Sequence, residues 1–393
     1  MQVRTDIATV LAMEKVQRIE APATVLISGS GVAGAALAFW LREQGLTPVV
    51  VERAPALRRG GQAVDVRGAA LTVLRRMGLE APARALRNES QGMNMLDADG
   101  NELMRSEEFA LSSGRLETED IELLREDLVE LVHERLEGVE YVYGDSITAI
   151  DEDAEGVQVE FENAAPRRFA LVVGADGLHS NTRRLVFGPE AAYIHHLGTY
   201  LSVFSQENYL GMDRWQTWIN NGTDGGAVMT VRDNKELRIF LGFAADPIDY
   251  DYRDVEAQKR LVAEHVAGFG WEVPNLVERM WTAEDFYFDS MAQIKMESWS
   301  RGRTVLLGDA AHCAAPLSGQ GTSLALVGAY VLAVELGRAT DHAEAFVGYE
   351  KRMRTFVEAN QELALIDRRT VDPDESTRRL DAVKNLIDLD AIG

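Results

Sequence analysis

Residues 24–53, TVLISGSGVAGAALAFWLREQGLTPVVVER, constrain this chain more than any other stretch. An apolar run of strand length meets a glycine cluster, a helical stretch of small and apolar residues follows, and a second apolar run ends in Glu52 and Arg53. That order is a β-α-β unit. Gly29, Gly31 and Gly34, spaced G-S-G-V-A-G, let the backbone turn tightly and let a pyrophosphate approach the helix N-terminus at Val32 and Ala33. Glu52 lies 18 residues beyond Gly34, where a carboxylate accepts hydrogen bonds from ribose hydroxyls and repels a 2′-phosphate. A tight strand-to-helix connection followed by a surface glutamate has the same local sequence, so the wider context has to separate the two readings.

Composition narrows that context. The 393 residues, 46% hydrophobic and 26% charged, suffice for two or three interlocking domains and a large buried cofactor. A net charge of −23 opposes binding to nucleic acid or anionic lipid. Cys313 is the single cysteine, which removes intramolecular disulfides and any paired-thiol redox centre. No HExxH or paired CxxC occurs, so no metal site is expected. Residues 1–20 mix Arg4, Asp6, Glu14, Lys15 and Arg18 with short apolar pieces and lack the pattern of a secretory signal, so a cytoplasmic location is expected. The apolar run 324–336 is too short to span a bilayer and reads as a buried helix, so no membrane partner is expected either.

Further along, helices are expected at 69–76, 81–86, 122–136, 255–266 and 274–279, with a hairpin turn around Asp97, Asp99 and Gly100. FALVVGADG, residues 169–177, is a buried strand running into a second glycine turn, and RTVLLGDAAH, residues 303–312, is a third strand of that kind. Between them TYLSVF, WQTWI, GGAVMTV and ELRIFLGFA, punctuated by turns, predict an antiparallel sheet. From Asp341 the chain is charged and helical, interrupted at Pro373.

The segment Gly174–Arg183, with Asp176, Gly177, Ser180 and Arg183, resembles the DGxxSxxR motif of flavoprotein hydroxylases, and residues 303–321 resemble their GD motif. With the first glycine turn these motifs stand in the order found in the p-hydroxybenzoate hydroxylase-like family of FAD monooxygenases, in a short form similar to its tetracycline-modifying and antibiotic-biosynthetic members. The resemblance covers roughly residues 23–355. It implies an α/β fold: a Rossmann-like FAD-binding domain with an inserted antiparallel substrate domain and a C-terminal helical region. The FAD-binding parts are expected at 23–75, 111–188 and 291–340, a linker and part of the substrate domain at 76–110, the substrate sheet at 189–290 and the helices at 341–393.

By the same resemblance Asp309, after Gly308, binds the ribityl chain, Arg125 contacts FAD, and Gly319, Gln320 and Gly321 lie against the pyrimidine edge of the flavin, where a helix N-terminus favours the negative charge of reduction. Pro316 lies near the ring. Arg53, Ile147, Asp176 and Gly177 join the expected cofactor contacts, and Gln62 and Asp65, in a loop similar to that of tetracycline-modifying relatives, are expected near the cofactor. One dinucleotide fingerprint leaves NAD(P)H, NADH or NADPH, to visit transiently. The flavin then carries the chemistry, through a C4a-hydroperoxide, and His195, His196 and His312 are the candidates for assisting ionisation of a substrate. Trp215, Trp218, Met229, Phe240, Phe243, Phe286, Phe288, Met291 and Pro316 are the candidate pocket walls. With no cation evidently dedicated to a carboxylate, a bulky neutral aromatic or polyketide-like substrate is expected, acted on by a monomer or homodimer. A flavin-retaining non-redox enzyme such as a cyclase, or a flavin-binding sensor, fits the same motifs.

Overall fold

The computed structural model describes residues 23–366, apart from 59 and 113, and residues 373–392; the helical periodicity at the start of the chain lies outside them. Its first sheet has six strands in the order Ser300–Arg301, Thr304–Leu306, Leu171–Gly174, Thr24–Ser28, Thr47–Glu52 and Glu140–Tyr143. All neighbours are parallel except the first pair. The three strands that precede glycine turns therefore lie side by side, with Val25 opposite Leu171 and Val172 opposite Thr304. Parallel strands buried on both faces read as continuous apolar runs, which is why 25–27 and 171–173 carry no polar alternation. The helix Val32–Glu43 packs on this sheet beside the long helix Gly321–Arg338, whose residues 323–334 are all buried.

The second sheet has seven strands in the order Tyr287–Ile294, Ile194–Glu207, Glu236–Ala244, Gly225–Val231, Trp215–Asn220, Gly92–Leu96 and Glu102–Ser106. It is antiparallel except that Trp215–Asn220 and Gly92–Leu96 run parallel. The hairpin expected around Asp97 thus supplies its last two strands. One face of the sheet is covered by the helices Val255–His265 and Val273–Thr282, through Phe204, Ile239, Leu241 and Phe243. Alternation along each strand sends the intervening residues toward the first domain.

One expected helix begins late. Residues Ile121–Leu124 form a strand paired antiparallel with Ala63–Val66, and the helix runs only over Arg125–His133. Glu122 and Leu124 favour helix by propensity, but burial of Ile121 and Leu123 and the ladder to the neighbouring strand prevail. Arg125 thereby becomes the first helical residue. The C-terminal helices, His342–Leu363 and Pro373–Lys384, end on the chain's own first domain, where Lys384 Nζ lies 3.0 Å from Asp120 and Arg76 2.6 Å from Asp390.

Arg183 is the staple between the second and third glycine turns. Fully buried, it donates to the carbonyls of Ala310 (3.0 Å) and Leu178 (2.7 Å) and to Glu190 (2.7 Å), and desolvation lowers its pKa. Replacing it with methionine (Arg183→Met) strands those acceptors, so a loss of about 3 kcal/mol in urea denaturation is expected; an unchanged midpoint would show the staple to be dispensable.

Candidate cofactor and substrate site

The first turn is closed on its inner side and open on its outer side. Gly29 has φ +103°, and a Cβ there would stand 2.5 Å from the Ala175 carbonyl; one on Gly34 would stand 2.0 Å from the Gly29 carbonyl. A Cβ on Gly31 would meet nothing within 4 Å. The first two contacts press the helix onto the strand ends, and the third leaves backbone amides approachable from outside. No side chain caps the helix Val32–Glu43, so its first amides are available to an anion. Glu52 fixes the turn, accepting from Ser30 N (2.8 Å), Ser30 Oγ (2.9 Å) and Ala54 N (2.8 Å). Arg53, beside it, is exposed.

The third turn meets the first at Gly308, whose Cβ would approach Ala33 to 3.0 Å. Asp309 is open to solvent, yet burial of its surroundings raises the pKa of its carboxyl. An accessible but poorly hydrated carboxylate marks the wall of a deep recess. Its Oδ1 lies 4.0 Å from where a Cβ on Gly321 would stand, so it adjoins the start of the long helix. The intervening loop is tense. Ala315 sits at φ +68°, ψ 152°, a region that side chains avoid, and Pro316 and Leu317 are exposed next to it. Ser318 ties the loop back to Ala315 O (2.8 Å), and Gly319 at φ +65° leads into Gln320. Gln320 is fully buried with neither end of its amide partnered, and the helix after it has no side-chain cap.

Arg125 enters from the other side. Its Nη2 donates to the carbonyls of Gly60 (2.8 Å) and Arg58 (3.3 Å), while its buried Nε has no partner. Desolvation lowers its pKa to about 10, so it remains a cation at neutral pH. Gly61, φ +111°, admits it, since a Cβ there would stand 2.8 Å from Nε; Gln62 follows, its carbonyl accepting from Arg125 N (3.1 Å). An approachable glycine turn, an uncapped helix, an under-partnered guanidinium, an unpaired buried amide and an open carboxylate suit a large molecule with a pyrophosphate, hydroxyls and an amide-edged ring. FAD has all three, and these residues fit it.

Other expected contacts take structural roles. Asp176 accepts from Thr182 N (2.9 Å), Thr182 Oγ1 (2.8 Å), Ser28 Oγ (3.3 Å) and Ser180 Oγ, which commits it to holding the second turn; Gly177, φ +82°, makes that turn possible. Ile147 is core, packed with Leu26 and Val49. Asp65 pairs with buried Arg67 at 2.7 Å. His312 is buried, 3.1 Å from Tyr349 Oη, and desolvation holds its pKa near 3, so it is a neutral packing group. His195 is exposed at the sheet's end, and His196 accepts from Gly198 N (2.9 Å) and tilts against Tyr200, so neither joins the turns above.

The pocket candidates divide by sheet face. Trp218, Ala227, Phe240, Val203 and Tyr287 form one cross-strand row toward the first domain, with Gln216, Met229, Arg238 and Ser205 in the next row and Met291 on the same face. Phe243 and Phe288 lie on the opposite face beneath the helices, stacked with Tyr200. Phe286 packs there too, and Trp215 is held on that side by Asn94, which accepts from its Nε1 at 3.0 Å. Composition signals aromatic residues but not strand parity, and parity decides which can reach a ligand. Sequence reading missed Tyr287, which is open to solvent, lies beneath Arg58 and donates to Asp289 at 2.8 Å. It also missed the polar partners Ser112, Glu122 and Gln216.

A family model described as FAD binding domain matches residues 22–363. An uncharacterized protein of Mycobacterium tuberculosis (strain ATCC 25618 / H37Rv) is 49% identical over 340 residues, 86% of this chain and 91% of its own. A flavin-dependent monooxygenase from an unknown prokaryotic organism is 39% identical over 340 residues, 86% of this chain and 87% of its own. The crystal structure of tetracycline destructase Tet(51) is similar with a TM-score of 0.84 at 34% identity, covering 93% of this chain and 98% of that one.

Asp309 yields a prediction with a definite sign. Its folded pKa is raised, so its ionised form subtracts from stability; the penalty is absent below the ordinary carboxylate pKa of ~4 and grows as pH rises through the folded value. Asp309→Asn should therefore melt higher than the wild type as cofactor-free protein near neutral pH, lose that advantage toward pH ~4, and bind FAD roughly tenfold or more weakly. A variant less stable at neutral pH would contradict the assignment.

Proposed function

Because this chain belongs to the FAD-dependent monooxygenase family, whose FAD-binding model spans most of its length, we propose that it uses NAD(P)H and O2 to oxygenate a bulky, largely neutral aromatic or polyketide-like molecule. Bound FAD supplies the redox chemistry, accepting a hydride and activating O2 for transfer of one oxygen atom. The protein seats the cofactor and aligns the substrate.

Gly31, Val32 and Ala33 would take the pyrophosphate, Glu52 the adenosine ribose, Asp309 the ribityl hydroxyls, and the amides at Gly319–Gly321 the pyrimidine edge. Arg125 would supply positive charge beside them. The helix Gly321–Arg338 presents an uncapped N-terminus, so negative charge arising there is stabilised.

The observation that carries the substrate class is the wall row, where Trp218 and Phe240 face the first domain with Ala227 between them. Flat apolar surface of this kind accepts a fused-ring molecule. The cation of the adjoining row is already committed: Arg238 is 2% exposed and donates to Glu236 (2.9 Å), Glu126 (3.1 Å) and Gly61 O (3.1 Å). A substrate carboxylate would have to break those bonds, which supports a neutral ligand. Similarity to tetracycline destructase Tet(51) makes a tetracycline the natural first probe.

Mixing FAD-loaded protein anaerobically with NADPH or NADH tests the reading. Bleaching of the flavin, accelerated about tenfold or more when tetracycline is present, followed on admission of air by a product heavier by one oxygen atom, is the expected result. A flavin that binds tightly but stays oxidised with both nucleotides would replace the proposal with a non-redox role.

A further inference from the structure

A line of hydrogen bonds leaves the substrate wall and ends at a carboxyl group that the functional reading does not use. Trp218 Nε1 donates to Gln216 Oε1 at 3.2 Å, Gln216 Nε2 donates to Ser112 Oγ at 2.7 Å, and Ser112 Oγ donates to Glu122 Oε2 at 3.0 Å. Three separate segments contribute: the strand Trp215–Asn220, the turn at Ser112 and the strand Ile121–Leu124. Gln216 is 2% exposed, so water does not compete for its amide.

The direction of this line is fixed at both ends. An indole N–H only donates, so it requires the oxygen of the Gln216 amide, which turns the NH2 group toward Ser112. The Ser112 oxygen therefore accepts, and its hydrogen is free to go to Glu122. An ionised carboxylate only accepts, and it takes that hydrogen. Resting on the reading that this sheet face is the substrate wall, we propose that Glu122 is a positioning residue which, through Ser112 and Gln216, fixes the orientation of the Trp218 ring against the ligand.

The same geometry makes the line reversible. A proton on Glu122 Oε2 turns that oxygen into a donor to Ser112 Oγ, which releases the serine hydrogen to Gln216, and an amide that flips to receive it presents its oxygen. Its NH2 group then faces the indole N–H, and Trp218 loses its bond. The charged surroundings of Glu122 set where this happens. Asp65 lies directly opposite on the strand Ala63–Val66 and raises the carboxyl, while Arg67, paired with Asp65, lowers it. Asp120, just before Glu122's own strand, pairs at 3.0 Å with Lys384 of the C-terminal helix, which also pairs with Asp381. Burial dominates, and with Asp65 it pushes Glu122 up to about 7.

The test is fluorine NMR on FAD-loaded protein labelled with 5-fluorotryptophan, the Trp218 signal being assigned by its loss in Trp218→Phe. Over roughly pH 5.5 to 8.5 the wild-type signal should shift with a single midpoint near neutrality. The shift should vanish in both Glu122→Gln and Ser112→Ala, the second variant removing the relay without altering any charge. A Trp218 signal that is flat in the wild type, or that titrates unchanged in Glu122→Gln, overturns the proposal. The readout needs no turnover, so failure here is separate from failure of the flavin to be reduced.

Discussion

The structure depends on how closely two strand ends are allowed to approach. At the carboxyl ends of Thr24–Ser28 and Leu171–Gly174, neighbours in one parallel sheet, the chain turns twice in a space that holds no extra atom. Gly29 and Gly34 permit the inner contacts, and Gly308 brings the third turn against Ala33. With backbone packed against backbone, the uncapped helix starts at Val32 and Gly321 converge on one recess beside Asp309. A crevice at the carboxyl ends of parallel strands is where such sheets bind their ligands.

Around that recess the protein carries several strained or unpartnered groups. Arg125 Nε and the Gln320 amide are buried without partners, the Asp309 carboxyl is raised by desolvation, and Ala315 holds a backbone conformation costing about 1–3 kcal/mol. Elsewhere the balance is mixed: Arg183 has three acceptors although its own Nε is buried without a partner, and Asp176 is ringed by donors. What sets the recess apart is that these groups gather beside two uncapped helix starts, an arrangement that suits a ligand. The second sheet is tied to the first-sheet side by Arg238, which donates to Glu126 and to the Gly61 carbonyl.

The three turns were largely legible in the sequence because glycine spacing and buried strands are local signals. Gly29, Gly31, Gly34, Gly308 and Gly321 sit where the motifs put them. Asp176 was legible as a motif residue but not in its role, since its donors, Ser28 and Thr182, come from the end of the neighbouring strand and the start of the following helix. Ile147 failed because a single apolar residue does not announce which side of a sheet it packs on. Sheet parity was not legible: Trp218 and Phe240 face the first sheet's side, whereas Phe243 and Phe288 lie on the opposite face, under the helices. Glu122 was concealed altogether, because the helix propensity of its segment hid a strand whose cross-strand partner is 57 residues away at Asp65.

Gly31 allows the most direct test of the central claim, that the open face of the first turn is the pyrophosphate seat of FAD. A valine there meets no protein atom within 4 Å of its Cβ and so occupies the open side of the turn. Titrating cofactor-free Gly31→Val with FAD, followed by flavin fluorescence, should show a correctly folded protein whose affinity has fallen roughly a hundredfold, about 3 kcal/mol. Affinity within about threefold of the wild type would mean that FAD does not lie on this turn, and the account of the site would fall with it.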